Sequence, residues 1–306
     1  MPIVSVLMSA YAEPESIFCK AVDSILNQSF QDLELVIVLD NPENTTLLKV
    51  IRSYAENDER VRPLINKRNL GLAGSLNVAL ENARGEYICR MDADDISEHS
   101  RIESQLLYLQ DSKLDLVGSA MTVINEEGAV LYPVDMLPES APSVAKALRF
   151  NNCVPHPTWF GTRQVFSLGY RSVPLCEDYD FLVRATINGY RIGNIPEKLL
   201  RYRMSAESIS RTHLYEQFLY QIELTKAYRD GAVLNIHEAN RRVERLATPS
   251  KAQGYSHANQ LFNAGLSAIR KKHFLSALAS FARVPFVSPE YMRKVTRLIR
   301  ASLICI

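Results

Sequence analysis

The sequence predicts an α/β protein built on a mainly parallel sheet with helices on both faces, followed by an α-helical appendage. Three observations predict it. Between residues 3 and 95, short apolar runs rich in β-branched residues alternate with segments whose apolar residues recur at helical spacing, the pattern of buried parallel strands joined by crossover helices. From Thr212 onward the strand pattern stops and only helical spacing remains. A chain of 306 residues is also long enough to bury one large core and still carry a smaller unit. The expected division is 1–211 for the sheet domain and 212–306 for the helical region.

Ile3 to Met8 reads as the first strand, and Glu13-Pro14 opens a helix whose Ile17, Phe18, Ala21, Val22, Ile25 and Leu26 form one stripe. Leu33 to Leu39 is a second strand ending in Asp40. Thr45 and Thr46 lead a helix lined by Leu47, Leu48, Val50, Ile51 and Tyr54. Val61 to Ile65 is a third strand, and Pro63 places it at an edge. Asn69-Leu70-Gly71 turns into a helix through Leu76, Ala79 and Leu80, with Gly85 expected as its left-handed C-terminal cap. Tyr87 to Asp92 is the fourth strand. Beyond it, Ile102, Leu106 and Leu109 mark a helix, and Leu116–Ile124 and Val130–Tyr132 flank the hairpin signal Asn125-Glu126-Glu127-Gly128. After the Glu177–Asp180 helix start, Tyr190–Ile195 and Leu199–Arg203 read as two short strands.

Composition excludes several classes. With 35 basic and 34 acidic residues the net charge is +1, so no nucleic-acid partner is expected. Five cysteines (Cys19, Cys89, Cys153, Cys176, Cys305) show no paired or metal-ligand spacing, which suits a reducing compartment. No signal peptide and no run near the ~18 apolar residues of a spanning helix is visible. The expected location is cytoplasmic.

In an open parallel sheet, ligands bind beyond the carboxyl ends of the strands. The polar groups expected there are Ser9 and Tyr11 after the first strand, Asp40 after the second, and Asp92 with Asp94 after the fourth. Strand alternation would point Asp92 and Asp94 the same way. Paired carboxylates on rigid backbone suit Mg²⁺ or Mn²⁺; the bland alternative is a solvated acidic loop leading into a helix capped by Ser97 or Ser100. The first strand-to-helix turn, Ser9-Ala10-Tyr11-Ala12-Glu13-Pro14, has no glycine, which argues against a nicotinamide dinucleotide site and a P-loop. His156 is bracketed by Pro155 and Pro157 and could serve as acid, base or ligand. Glu177 and Asp178 open a helix, where ordinary capping is the simple explanation.

Taken in order, these pieces resemble the family 2 glycosyltransferases, inverting enzymes with the Rossmann-like A-type fold. The resemblance covers about residues 3 to 210. It rests on Val4–Tyr11 with Glu13 as the nucleotide-site strand, Asp40, Asn69-x-Gly71, Asp92-Ala93-Asp94, Pro155-His156-Pro157-Thr158, Glu177-Asp178 and Tyr202-Arg203. It implies a nucleoside-diphosphate sugar donor, a UDP-sugar foremost, held by Ser9, Tyr11, Glu13, Asp40, Asn69, Gly71, Asp92 and Arg203. It also implies Mn²⁺ or Mg²⁺ on Asp94 and Asp92 with His156 nearby, Asp178 as base and Glu177 beside it on the acceptor. The implied acceptor is a saccharide, on a polyprenyl diphosphate lipid, in bacterial exopolysaccharide or O-antigen synthesis. Two departures stand out: Asn41-Pro42 follows Asp40 where a second acid or a Gly-Ser turn is usual, and Met204-Ser205 follows Arg203 where a histidine is frequent. Arg201, Arg203 or Arg211 could supply the missing charge.

The C-terminal third carries eight basic residues against one acid, Glu290, between Arg270 and Ile306. Met292, Val295, Leu298, Ile299 and Leu303 share a stripe flanked by Arg293, Lys294, Arg297 and Arg300, which suggests peripheral contact with the inner face of the plasma membrane; packing against the preceding helix is the competing expectation. Residues 258–282 faintly resemble one tetratricopeptide-like helix pair. A nucleotidyltransferase would need a glycine-rich basic loop after the first strand, and none is there. A helical adaptor with a degenerate transferase domain is the reading from outside enzymology.

Overall fold

Alternation of buried residues sets the first half of the molecule. The computed structural model describes residues 1–204 and 213–304; the expected boundary at 211–212, Arg211, Ser205 and Cys305 lie outside these. Strands β1 (Val4–Ala10), β2 (Leu33–Leu39), β3 (Val61–Ile65) and β4 (Tyr87–Asp92) are linked by helices α1 (Glu15–Leu26), α2 (Thr45–Asn57) and α3 (Gly71–Asn82). They lie parallel in the order β3-β2-β1-β4. Val4, Val6, Met8 and Ala10 of β1 and Leu33, Leu35, Ile37 and Leu39 of β2 feed one core, while Leu7, Val36 and Val38 feed the other, as a period of two requires. Pro63 sits in the edge strand, where its missing N–H costs least.

Beyond β4 come β5 (Ile96–Ser97), α4 (Arg101–Asp111), the hairpin β6 (Leu116–Ile124) and β7 (Val130–Val134), and α5 (Ala141–Ala147). A 3₁₀ turn at His156–Thr158 then precedes β8 (Phe160–Thr162), α6 (Arg163–Phe166), α7 (Glu177–Ile187) and β9 (Ile192–Arg203). Among the described residues nine strands make one sheet, ordered β3-β2-β1-β4-β8-β6-β9-β5 with β7 beside β6. β8 runs antiparallel to β4 and β6, whereas β9 runs parallel to β6.

The structure corrects several expectations. Tyr190–Ile195 and Leu199–Arg203 are not two strands: β9 is continuous and absorbs Pro196 and Glu197 as a register shift, with Ser119 opposite Ile195 and Ala120 opposite Lys198. Gly85 is not a left-handed cap. α3 ends into an extended Ala83, and Gly85 lies against β1, where an added Cβ would stand 2.5 Å from the Ser5 nitrogen. Ser97 belongs to β5, and Ser100 holds the N-cap position of α4 without a side-chain bond.

The last third is helical: α8 (Leu214–Arg229), α9 (Ile236–Leu246), α10 (Pro249–Arg270), α11 (Phe274–Val287) and α12 (Pro289–Ser302). Pro249 and Pro289 start helices, as proline can, whereas Pro285 lies inside α11. Tyr215, Phe218, Tyr255 and Tyr291 of these helices share a core cluster with Tyr179 and Leu182 of α7. Among the described residues no helix is long and apolar enough to cross a membrane.

Candidate active site

The carboxyl ends of β1, β2 and β4 meet at one edge of the sheet. The register places Ser9 between Val38 and Asp92. In the turn after β1, the Tyr11 N–H donates to Glu13 Oε2 at 2.8 Å, while the Tyr11 side chain stays about half exposed. Asp40 is buried, and its Oδ1 accepts from Asn66 Nδ2 at 2.7 Å and from the Leu70 N–H at 2.8 Å. Asn69 Oδ1 accepts from the Gly71 N–H at 2.8 Å, and Gly71 takes φ +72°, which suits glycine. Asp40 and the Asn69-Leu70-Gly71 turn are therefore one unit. Asn41, the first departure from the family pattern, accepts the Glu43 N–H at 3.2 Å and so turns the chain toward α2.

Asp92, Asp94 and Asp95 each offer a carboxylate oxygen, and these oxygens lie within 4.8 Å of one another. Strand alternation is not what unites them: β4 ends at Asp92 and the chain turns through Ala93 and Asp94. That turn brings in Asp95, which is fully buried. Asp95 Oδ1 accepts the Arg203 N–H at 2.7 Å, and its Oδ2 has no partner among the described residues. Burial, and then the charge of Asp92, push Asp94 up to about 7 and Asp95 well above the carboxylate range. Burial followed by Asp92 also raises Glu13. Crowded carboxylates with an orphaned buried oxygen fit a hard divalent cation.

Arg90 is the residue that sequence reasoning missed. It forks onto Asp92 through both terminal nitrogens from a nearly fully buried position. Burial opposes its charge, and the nearby Asp92 and Asp95 carboxylates hold it charged. The signal was available: an arginine within an otherwise apolar strand, two residues before Asp92 and on the same face, requires a carboxylate. Arg101 anchors the strand from below, donating to the Arg90 carbonyl at 2.7 Å and to the Pro157 carbonyl at 3.0 Å.

Arg203 was expected on the diphosphate. It is instead buried and donates to three backbone carbonyls, those of Asp94 (2.8 Å), Asn125 (3.1 Å) and Glu126 (2.7 Å). It holds the acidic turn to the β6–β7 hairpin. Arg201 pairs with Glu98 on the surface.

His156 is not among the groups clustered at the acidic turn. It is buried, shares a 3.0 Å hydrogen bond with the Tyr170 hydroxyl, and meets Trp159 edge-on with ring centroids 4.5 Å apart. Burial, with Arg90 nearby, pushes its pKa well down, so it is a neutral bonding group within an aromatic cluster. The Trp159 indole N–H donates to the Val154 carbonyl at 3.1 Å.

Glu177 and Asp178 open α7 with Asp180. Asp180 is structural, clamped by Arg171 and Arg184. Asp178 Oδ2 accepts from Asn152 Nδ2 at 2.7 Å and its Oδ1 from the Tyr179 N–H at 2.6 Å. Burial raises Asp178; burial and then Asp178 push Glu177 up to about 7. Asp92 and Arg90 also act on Glu177, so the pair lies within electrostatic reach of the acidic turn.

Residues 5–167 match the profile described as Glycosyl transferase family 2. The chain belongs to this family. Among relatives of this family 2 member, the O-antigen biosynthesis glycosyltransferase WbnJ of Escherichia coli is 31% identical over 229 residues, which is 72% of this chain and 88% of WbnJ. Two solved glycosyltransferases share the A-type fold. S. aureus TarS 1–349 in complex with UDP-GlcNAc gives a TM-score of 0.63 at 16% identity, covering 94% of this chain and 93% of that one. The mannosyltransferase PcManGT of Pyrobaculum calidifontis, in complex with GDP-Man and Mn²⁺, gives 0.60 at 18%, covering 99% and 86%. The family 2 chain is thus a glycosyltransferase of A-type fold.

Proposed function

We propose that the protein is an inverting, metal-dependent glycosyltransferase that moves a sugar from a nucleoside-diphosphate sugar, a UDP-sugar foremost, to a hydroxyl of a saccharide acceptor. The observation that carries this reading is the pairing of two acidic groups across Arg90: the Asp92–Asp94–Asp95 turn and the raised Glu177–Asp178 pair. Asp92, Asp94 and Asp95 would hold Mn²⁺ or Mg²⁺, which when bound supplies positive charge to the departing diphosphate. Asp40 with the Asn69–Gly71 turn, and Ser9, Tyr11 and Glu13, would seat the nucleotide. Asp178 takes the proton of the acceptor hydroxyl while that oxygen bonds the anomeric carbon and the bond to the diphosphate breaks. One displacement inverts the centre. Asn152 orients Asp178, and Glu177 binds the acceptor. Arg203 acts as a positioning residue for the acidic turn.

The O-antigen role of WbnJ supports a place in bacterial surface polysaccharide synthesis, with a lipid-linked acceptor. Membrane contact finds more support on α11 than on α12. Much of α12 turns inward: Tyr291 is buried, Met292 and Val295 pack on the core, and Arg297 Nε donates to the Phe150 carbonyl at 2.8 Å. Leu298, Ile299 and Leu303 remain outside, but the more exposed apolar face is that of α11, where Leu275 is 85% and Phe286 91% exposed, with Phe274 and Leu278 also out. Arg270, Lys271, Lys272 and Arg283 flank it, and no acid occurs between Glu244 and Glu290. That chemistry suits an anionic lipid surface.

The test is nucleotide release from UDP- and GDP-sugars with Mn²⁺, with the anomer of the transferred sugar followed by NMR. Release with inversion, lost in Asp178→Asn, is expected. Nucleotide binding without turnover of any donor would favour the adaptor reading.

A further inference from the structure

One concentration of charge lies outside the site. A cavity of about 520 Å³ opens between α8 and α12, lined by Thr225, Lys226 and Arg229 on one side and by Arg293, Arg297 and Arg300 on the other. Asp230 is the one carboxylate in the lining, and none of the five cations forms an ion pair among the described residues. The inner two arginines are fixed by neutral groups. Arg297 donates to the Phe150 carbonyl, and Arg229 donates to the Arg149 carbonyl at 2.9 Å while lying over the Phe150 ring. Burial, with Arg229 and Arg293 nearby, pushes the Arg297 pKa down: five like charges are crowded here against the single acid Asp230. Carbonyl bonds satisfy N–H groups and leave net charge in place, which only an anion offsets.

We propose that this groove binds a phosphate or diphosphate group on the acceptor side of the molecule. Its two inner arginines are bonded to the carbonyls of Arg149 and Phe150, and two residues further on Asn152 bonds Asp178. An anion seated on Arg293, Arg297 and Arg300 would therefore brace the strap that carries the base's partner. Assignment to the acceptor rests on the transferase reading; anion binding itself does not. The shared chemistry has two sources, the headgroup of a prenyl diphosphate carrier or a free phosphoryl anion.

The test is titration calorimetry of the full chain at low ionic strength, in chelator so that no metal-borne diphosphate site forms at the acidic turn. The probes are inorganic phosphate, pyrophosphate and geranyl diphosphate. Saturable pyrophosphate binding is expected, weakened about tenfold or more when Arg293→Glu and Arg300→Glu are combined, since charge-assisted contacts are lost and like charge is introduced. Lys226→Glu on the opposite wall should also weaken it, and serves should the double variant misfold. Tighter binding of geranyl diphosphate than of pyrophosphate assigns the site to a lipid headgroup; equal binding assigns it to a free anion. No detectable binding of any probe, or binding unchanged in both variants, overturns the proposal. Because no donor or turnover enters the measurement, failure of the transferase reading would leave its result standing.

Discussion

A guanidinium buried at the end of a parallel strand is stable only beside negative charge, and Arg90 has it on two sides. The same charge holds down the pKa of Asp178, so the base stays ionisable although burial raises it. Asp178→Asn should cut kcat by about 10²-fold or more with donor affinity nearly unchanged. A larger loss in Glu177→Gln, with Asp178→Asn still active, would show that Glu177 is the base. Asn152 favours the charged form of Asp178, so Asn152→Ala should raise its pKa further. A base works only above its pKa; kcat should therefore fall more in this variant at about pH 6 than at about pH 8, moving the acid limb upward. An unmoved limb would remove Asn152 from this role. The three carboxylates of the turn repel one another, so Asp94→Asn should raise the Tm of the metal-free protein by roughly 2 °C. Mn²⁺ should stabilise the parent and leave the variant nearly unaffected; equal stabilisation of both would exclude Asp94 as a ligand.

At the scale of elements, the acidic turn is held from two directions. β4 delivers Asp92, and β9, paired to β5 just after Asp95, delivers Arg203. A lysine cannot span three carbonyls, so Arg203→Lys should weaken Mn²⁺-dependent stabilisation while the metal-free melting temperature changes little. Retained metal response would mean the turn holds its own shape. The first four strands and their helices were legible because buried alternation and helical stripes are local patterns, whereas the aspartates are gathered by a turn that alternation does not describe. Arg203 was misjudged because its partners are carbonyls on two distant segments, Asp94 and Asn125–Glu126. The same holds for β9, where Pro196 reads as a break unless the β6 partner strand is known. Gly85 was misread because close approach to Ser5 leaves the same residue in the sequence as a helix cap does. His156 looked like a ligand because its aromatic partners Trp159 and Tyr170 are arranged only by the tertiary fold.

Across the whole molecule, the outward face of α11 defines one side. Leu275→Glu combined with Phe286→Glu should abolish flotation with anionic vesicles, and binding of the unaltered chain should weaken with salt. Flotation indifferent to both would return α11 to an ordinary surface, and self-association lost in the variant would identify a second copy as its occupant. The chain contains a single tryptophan, and Trp159 lies in the cluster that also holds Tyr179, Tyr255 and Tyr291. Packed against His156, Phe166, Tyr170 and Phe181, it is a built-in optical gauge: blue-shifted while that aromatic cluster is closed, red-shifted once water reaches the indole. Because its ring touches His156 and its N–H bonds Val154 two residues past Asn152, the same signal registers disturbance of the strap beneath the catalytic carboxylate, with no label added.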